Sequence, residues 1–323
     1  MSGSSIKLTR EQRFLEIIKE ICSENLIGDD CAALPSGQIF SSDMLIEGKH
    51  FLLPQMSYQD LGWKSMAVNL SDIAAMAGIP RYALVNIGLP GSISDNEFSE
   101  LYEALHGCAS EFGARIIGGD LCASEQLVIS VTVIGDAPDS GAMYRSGAQA
   151  DDYILVTGDF GASALGLEEI LKGEKADASH SYALHRHLRP QPKIKEAAWL
   201  ASVCSSAGAL MDCSDGLADA LIQVAALSNV GIEIDADAIP VAESVKERAA
   251  KLGLDYLQLA LYGGEDYELL AAVNPECWKK LKLLPDFKTI GRVKNGSAVV
   301  LKRAIDGTAE LLESSKTFQH WKS

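Results

Sequence analysis

The sequence has no C-x-x-C pair and no H-x-x-x-H, and its seven cysteines (Cys22, Cys31, Cys108, Cys122, Cys204, Cys213, Cys277) are odd in number and scattered. That pattern excludes a disulfide framework and a zinc site as organising features. No apolar run reaches the roughly 18 residues a membrane helix needs, and the opening "MSGSSIKLTREQRF" has no signal-like apolar stretch. A cytoplasmic protein is expected. Basic residues are scarce, 28 against 44 acidic, for a formal net charge of −16. A field of that sign repels polynucleotides and anionic bilayers, so neither nucleic acid nor membrane is expected as a partner. An anionic small molecule can bind only where cations or backbone N–H groups reverse the sign locally.

Familiar chemical signatures are missing too. There is no G-x-x-x-x-G-K-[ST], and "GDFGASALG" lacks the G-x-G-x-x-G spacing, which disfavours a P-loop or a simple dinucleotide loop. No H-R-D occurs and "CSDGLADAL" contains no D-F-G, so the protein-kinase set is incomplete; no G-x-S-x-G supplies a nucleophile elbow.

What is present is an ordinary soluble balance, 47% hydrophobic and 22% charged, over 323 residues. That length exceeds one average domain and favours two. Phe14, Ile17, Ile18 and Ile21 recur at helical spacing after Thr9, a helix start, which predicts an amphipathic opening helix over 8–22. A strand is expected over Gln38 to Ile46 and a helix of small residues over Tyr58 to Met76, stopped by Gly78 and Pro80. "ALVNIGLP", "ARIIGGD" and "QLVISVTVIGDA" read as strands around the capped helix "SDNEFSELYEALHGCASEFG". A first α/β unit therefore ends near residue 148. The second unit opens with "DDYILVTG", continues through "GALMDCSDGLADALIQVAALSNVG" as strand, turn and helix, and ends in "LALYGGEDYELLAAV", "FKTIGRV" and "AVVLKRA", all strand-like. On its own, "YGGEDYELL" reads as a hairpin turn.

Aspartates recur beside glycine, serine or asparagine: Asp29 and Asp30, Asp43, Asp72, Asp120, Asp212 and Asp215. Hard oxygen donors of this kind suit magnesium, which takes one or two carboxylates and completes its octahedron with water and substrate phosphate. The bland alternative for each is a turn former or helix cap. Asp72 shares a helical face with Asn69 in a helix that should be buried, where a lone carboxylate is costly. The glycines before Asp120 permit close backbone approach to a ligand, or simply a tight turn. Ser214 and Asp215 precede an apolar helix, so that N-terminus either receives an anion or is capped by one of them.

Taken in order, "IGDDCAAL", "SSDMLIEGKHF", "KSMAVNLSDIAAMAG", "GGD", "YRSGAQADDYILVTG", "HLRP", "DCSDGLADAL" and "GGEDYELL" resemble the thiamine-monophosphate kinase family. The resemblance runs from residue 27 to about 270. It implies the two-domain α/β (α+β) fold of the aminoimidazole-ribonucleotide synthetase superfamily. Residues 1–148 would form an ATP- and magnesium-binding domain that dimerises through its sheet. Residues 149–323, a mixed sheet with helices, would complete the active site. It further implies phosphorylation of thiamine monophosphate by ATP, assisted by several Mg2+ ions, in a homodimer. By motif, Asp30, Ser41, Ser42, Asp43, Asp72, Asp120, Asp212 and Asp215 would hold metal. Tyr102, Gly119, Asp120, Arg145 and Ser214 would contact ATP, and His50, Glu265 and Phe318 would contact thiamine monophosphate. No residue is expected to act as a general base. Another ATP-dependent enzyme of the superfamily, or a two-metal phosphohydrolase, remains the alternative.

Overall fold

A computed structural model describes residues 10–22, 26–53, 55–173, 182–204, 208–303 and 307–317 of the chain. The N-terminal half runs α1 (Arg10–Cys22), β1 (Ala32–Ala33), β2 (Gln38–Ile46), α2 (Tyr58–Ala75), β3 (Ile79–Leu89), α3 (Asp95–Glu111), β4 (Arg115–Ala123) and β5 (Val128–Asp136). Its five strands are ordered β1-β2-β5-β3-β4, with β3 and β4 parallel and the other pairs antiparallel. On β5 every second residue is buried, the period of a sheet with one covered face. Ala83, Val85, Ile87, Ile129, Val131 and Val133 fill that face beneath α2 and α3.

The helices follow from local chemistry. Ser94 accepts from Glu97 N while Glu97 reaches back to Ser94 N, a reciprocal cap that starts α3. Ser57 accepts from Asp60 N at the start of α2. Thirteen residues of α2 are buried, and a helix buried on nearly all sides lies within a core rather than on it. Gly62 makes the α2–α3 packing possible, since a Cβ there would lie 2.2 Å from Leu101 O.

The helix stop differs from expectation. Ala77 takes the left-handed conformation (φ 56°) and Gly78 N bonds Ile73 O at 2.8 Å. Gly78 is needed for space instead, because a Cβ would meet Ile39 Cδ1 at 2.2 Å. Pro80 lies inside β3. In α1 the apolar stripe forms as expected, and Phe14, Ile17, Ile18 and Ile21 are all exposed. Thr9 lies outside the described residues.

The second half contains β6 (Tyr153–Thr157), α4 (Ala162–Leu171), α5 (Tyr182–Leu188), α6 (Ile194–Val203), β7 (Ala209–Asp212), α7 (Leu217–Ser228), β8 (Gly231–Asp235), α8 (Glu243–Leu252), α9 (Tyr256–Tyr262), β9 (Leu269–Val273), α10 (Pro275–Leu281), β10 (Phe287–Lys294), β11 (Val299–Lys302) and β12 (Ala309–Leu311). Its seven-stranded mixed sheet is ordered β12-β11-β8-β10-β6-β9-β7, with β8 and β11 parallel. The hairpin reading of 259–273 is wrong. Asp255 caps a helix by accepting from Leu257 N at 2.8 Å, and Leu257, Ala260 and Leu261 bury its inner face. A loop, not a tight turn, then leads into β9. The halves meet along α2: its Ala74 and Ala75 join one buried cluster with Leu210 of β7 and Leu269 of β9. Among the described residues no helix is long and apolar enough to cross a membrane.

Candidate active site

Three carboxylates converge at that meeting line. Asp30 precedes β1, Asp72 sits in the last turn of α2 and Asp212 ends β7, and one oxygen from each lies within 4.8 Å of the others. Each is held by a separate hydrogen bond. Asp30 takes a two-pronged bond from Arg145, Nη2 to Oδ1 at 2.6 Å and Nε to Oδ2 at 3.1 Å. Ser41 Oγ donates to Asp72 Oδ2. Ser71 Oγ donates to Asp212 Oδ2 at 2.6 Å, leaving Asp212 Oδ1 buried with no hydrogen-bond partner among the described residues.

The electrostatics call for added positive charge. Burial first, then Asp43, Asp212 and Asp30, hold the Asp72 carboxyl well above the usual carboxylate range. Burial and then Asp30 push Asp212 up to about 8. Asp29, raised to about 6 by burial and Asp30, accepts twice from Arg145 N at 3.2 Å. Arg145 also donates to Gln223 Oε1 at 3.0 Å. An all-oxygen donor set, an orphaned buried carboxylate oxygen and mutual repulsion fit a hard divalent cation such as magnesium. Asp30, Asp72 and Asp212 could hold it, with the Ser41 hydroxyl alongside.

The remaining expected residues divide by sheet face. Ile39, Ser41 and Leu45 are buried on the α2 side of β2, and Asp43 alternates with them; its N–H donates to Asn69 Oδ1 at 2.7 Å. Ser42 faces the other way, bonded to Thr132 Oγ1 at 2.9 Å. Asp120 falls in one row with Asn86, Ser130 and the exposed Met44, again on the open face. The structure therefore does not bring Ser42 and Asp120 into the buried cluster. Gly119 adopts φ 150°, where a Cβ would sit 1.7 Å from Val85 O, so this glycine serves strand packing directly. Tyr102 packs near Phe98 on α3, against the core of the first half.

The N-cap position of α7 is Gly216 (φ 104°), which offers no side-chain bond, and the half-buried Ser214 and Asp215 precede it at that N-terminus. Ser214 O accepts from Glu265 N at 2.6 Å. His50 Nδ1 accepts from Ile46 N at 3.0 Å, which places its ring proton on Nε2. Burial opposes the Glu265 charge, but Lys64, His187 and His50 outweigh it and hold that carboxyl below its usual range. The two expected acceptor contacts, His50 and Glu265, are thus electrostatic neighbours. Phe318 lies outside the described residues. His187, in "HLRP", and Lys64 and Ser71, in "KSMAVNLSDIAAMAG", lie within blocks that carry the family resemblance, which implies no role for any of the three.

Residues 28–137 match the N-terminal domain model of AIR synthase related proteins, and residues 149–303 match the C-terminal domain model. The thiamine-monophosphate kinase of Bacillus subtilis (strain 168) is 38% identical over 314 residues, covering 92% of this chain and 93% of that one. That of Synechococcus elongatus is 34% identical over 336 residues, with 99% of each covered. The solved structure of AaThiL complexed with AMPPCP and TMP superposes with a TM-score of 0.85 at 29% identity, covering 98% of this chain and 100% of that one. On this similarity across both halves, the chain belongs to the thiamine-monophosphate kinase family, within the proteins related to AIR synthase.

Proposed function

We propose that the chain transfers the γ-phosphoryl group of ATP to the phosphate of thiamine monophosphate, giving thiamine diphosphate and ADP. The observation that carries this reading is the convergence of Asp30, Asp72 and Asp212, from both halves, beside Arg145. In a chain of net charge −16 such a cluster supports the reading of a cation cradle.

The acceptor dictates what the residues must do. A phosphate monoester has a second pKa near 6, so its attacking oxygen is already largely ionised at neutral pH. No side chain is needed as general base, unlike a kinase acting on a hydroxyl. The obstacle is repulsion: at an effective dielectric near 20, each pair of unit charges 4 Å apart repels by roughly 4 kcal/mol. Magnesium, when bound, supplies charge neutralisation between the two phosphate groups. Asp30, Ser41, Asp43, Asp72 and Asp212 would hold it on the buried side, Asp215 ahead of α7, and Ser42 with Asp120 on the open face. Arg145 contributes a permanent, planar charge for ATP, and Gly119, Asp120, Ser214 and Tyr102 complete that assignment. His50 and Glu265 would orient thiamine monophosphate. In-line transfer then draws on positioning and electrostatic stabilisation.

We assign residues 1–148 to nucleotide, metal and dimer contacts and 149–323 to completing the cleft. A homodimer through the N-terminal sheet is supported by Met44, Tyr82, Ile117 and Leu121, all exposed on that one sheet. The free state of all seven cysteines agrees with a reducing, cytoplasmic setting. The test is ADP release in the presence of magnesium. It should require added thiamine monophosphate and yield thiamine diphosphate; release of inorganic phosphate without that acceptor would favour a phosphohydrolase.

A further inference from the structure

The N-terminal end of α2 meets the second half of the chain through matched groups. Asp60 Oδ1 accepts from Arg189 Nε at 2.5 Å, Trp63 Nε1 donates to Pro190 O at 2.8 Å, and Lys64 Nζ lies 2.9 Å from Glu265 Oε1. Residues 187–190, the "HLRP" segment, thus clamp one turn of the helix. The same segment supplies His187, whose Nδ1 is 3.4 Å from the other Glu265 oxygen and 3.0 Å from Ser163 Oγ.

Exposure separates the three groups. Lys64 is 1% and His187 4% exposed, while the Glu265 side chain keeps 32% of its surface. Two buried groups therefore grip a carboxylate from behind. Lys64 has no other ion-pair partner and no hydrogen-bonded one among the described residues. A lysine here costs desolvation that leucine or methionine would not, so its charge needs a reason. The backbone is also committed: Glu265 is left-handed (φ 58°), as is Tyr267 (φ 51°), and Glu265 N is tied to Ser214 O. Such non-glycine residues are strained and persist where their surroundings over-determine them.

We propose that Lys64 and His187 are positioning residues for the acceptor substrate, fixing the Glu265 carboxylate toward the cleft and in register with Asp72 on the same helix. Eight residues separate Lys64 from Asp72, about 12 Å of helix. One rigid element thereby sets the spacing between the acceptor's anchor and the metal cradle. This rests on the proposed contact of Glu265 with thiamine monophosphate.

Steady-state kinetics of the full chain with magnesium test it, using Lys64→Met, Glu265→Gln and the double variant. Lys64→Met should raise KM for thiamine monophosphate tenfold or more and leave KM for ATP within twofold. The acid limb of kcat/KM for the acceptor should move to higher pH, because Glu265 then loses Lys64, the group that most lowers it, and keeps His50, Tyr267 and a His187 that burial has pushed down to about 4. The double variant should match Glu265→Gln, since Lys64 acts through that carboxylate. Equal changes in both KM values, an unmoved acid limb, or a further tenfold loss in the double variant would overturn the proposal. Should Lys64→Met fail to fold with its stranded carboxylate, the double variant, neutral at both positions, still decides by its comparison with Glu265→Gln. A Glu265→Gln variant with unchanged KM for the acceptor sinks the substrate contact itself. A large effect of Glu265→Gln with none from Lys64→Met sinks the positioning role alone.

Discussion

Ser71 Oγ on α2 donates to Asp212 Oδ2 on β7 at 2.6 Å, bridging residues 141 positions apart. The carboxylate cluster therefore exists only when the two halves are docked, and its repulsion is built into that docking.

Neutralising Asp212 should separate stability from activity. Its folded pKa, about 8, lies above the ordinary 3.8, so the metal-free fold binds the proton more tightly than the unfolded chain does. Its contribution to stability is fully present below about pH 4 and is lost as pH rises through about 8. In chelator, wild-type Tm should fall across that window relative to Asp212→Asn. Added Mg2+ should raise wild-type Tm and leave the variant little changed. Turnover of Asp212→Asn, and of Asp72→Asn, should drop roughly a hundredfold or more. Thermal melts against pH with and without Mg2+, beside an ADP assay, check this; normal Mg2+-dependent turnover would remove the cradle.

Arg145 is expected to be intolerant even of lysine. Its fork meets both oxygens of Asp30, whose side chain has no exposed surface, and a lysine cannot reproduce that geometry. Arg145→Lys should raise KM for ATP by tenfold or more. Arg145→Met, which strands a buried carboxylate, should cost about 3–5 kcal/mol in metal-free urea denaturation. Equal KM values for wild type and Arg145→Lys would argue against the nucleotide role.

The adjacent glycines in β4 should respond in opposite ways. A Cβ at Gly119 would lie 1.7 Å from Val85 O, and only backbone movement relieves that; at Gly118 the nearest atom is Leu84 Cδ2 at an ordinary 3.4 Å. Gly119→Ala should be insoluble or strongly destabilised, and Gly118→Ala should melt within a few degrees of wild type. Circular dichroism melts of the pair suffice.

These contrasts show what the sequence could convey. Asp30, Asp72 and Asp212 were legible because acids in apolar runs are costly unless a ligand or partner explains them. Ser41 and Ser42 could not be told apart without the strand's phase, since adjacent residues face opposite sides. Lys64 was illegible because a lysine in a helix ordinarily faces solvent; its burial depends on a segment more than a hundred positions away. The α9 helix was missed because a seven-residue apolar run has no decisive period, and only the Asp255 cap distinguishes it.

The open edge of the N-terminal sheet gives the last prediction. Among the described residues β4 is the last strand of the sheet, and Ile117 and Leu121 upon it are 57% and 55% exposed. A long apolar edge of this kind associates unless something covers it. Neither residue belongs to a buried cluster, so Ile117→Glu with Leu121→Glu should leave the monomer folded while opposing self-association by like-charge repulsion. Sedimentation should show a dimer for wild type and a monomer for the variant. Gly119 and Asp120 lie between the two altered positions, so the monomer should also bind ATP more weakly if a second copy closes that side of the site. A variant that stays dimeric would place the interface elsewhere, and a monomer with unchanged KM for ATP would show that each chain carries a complete nucleotide site.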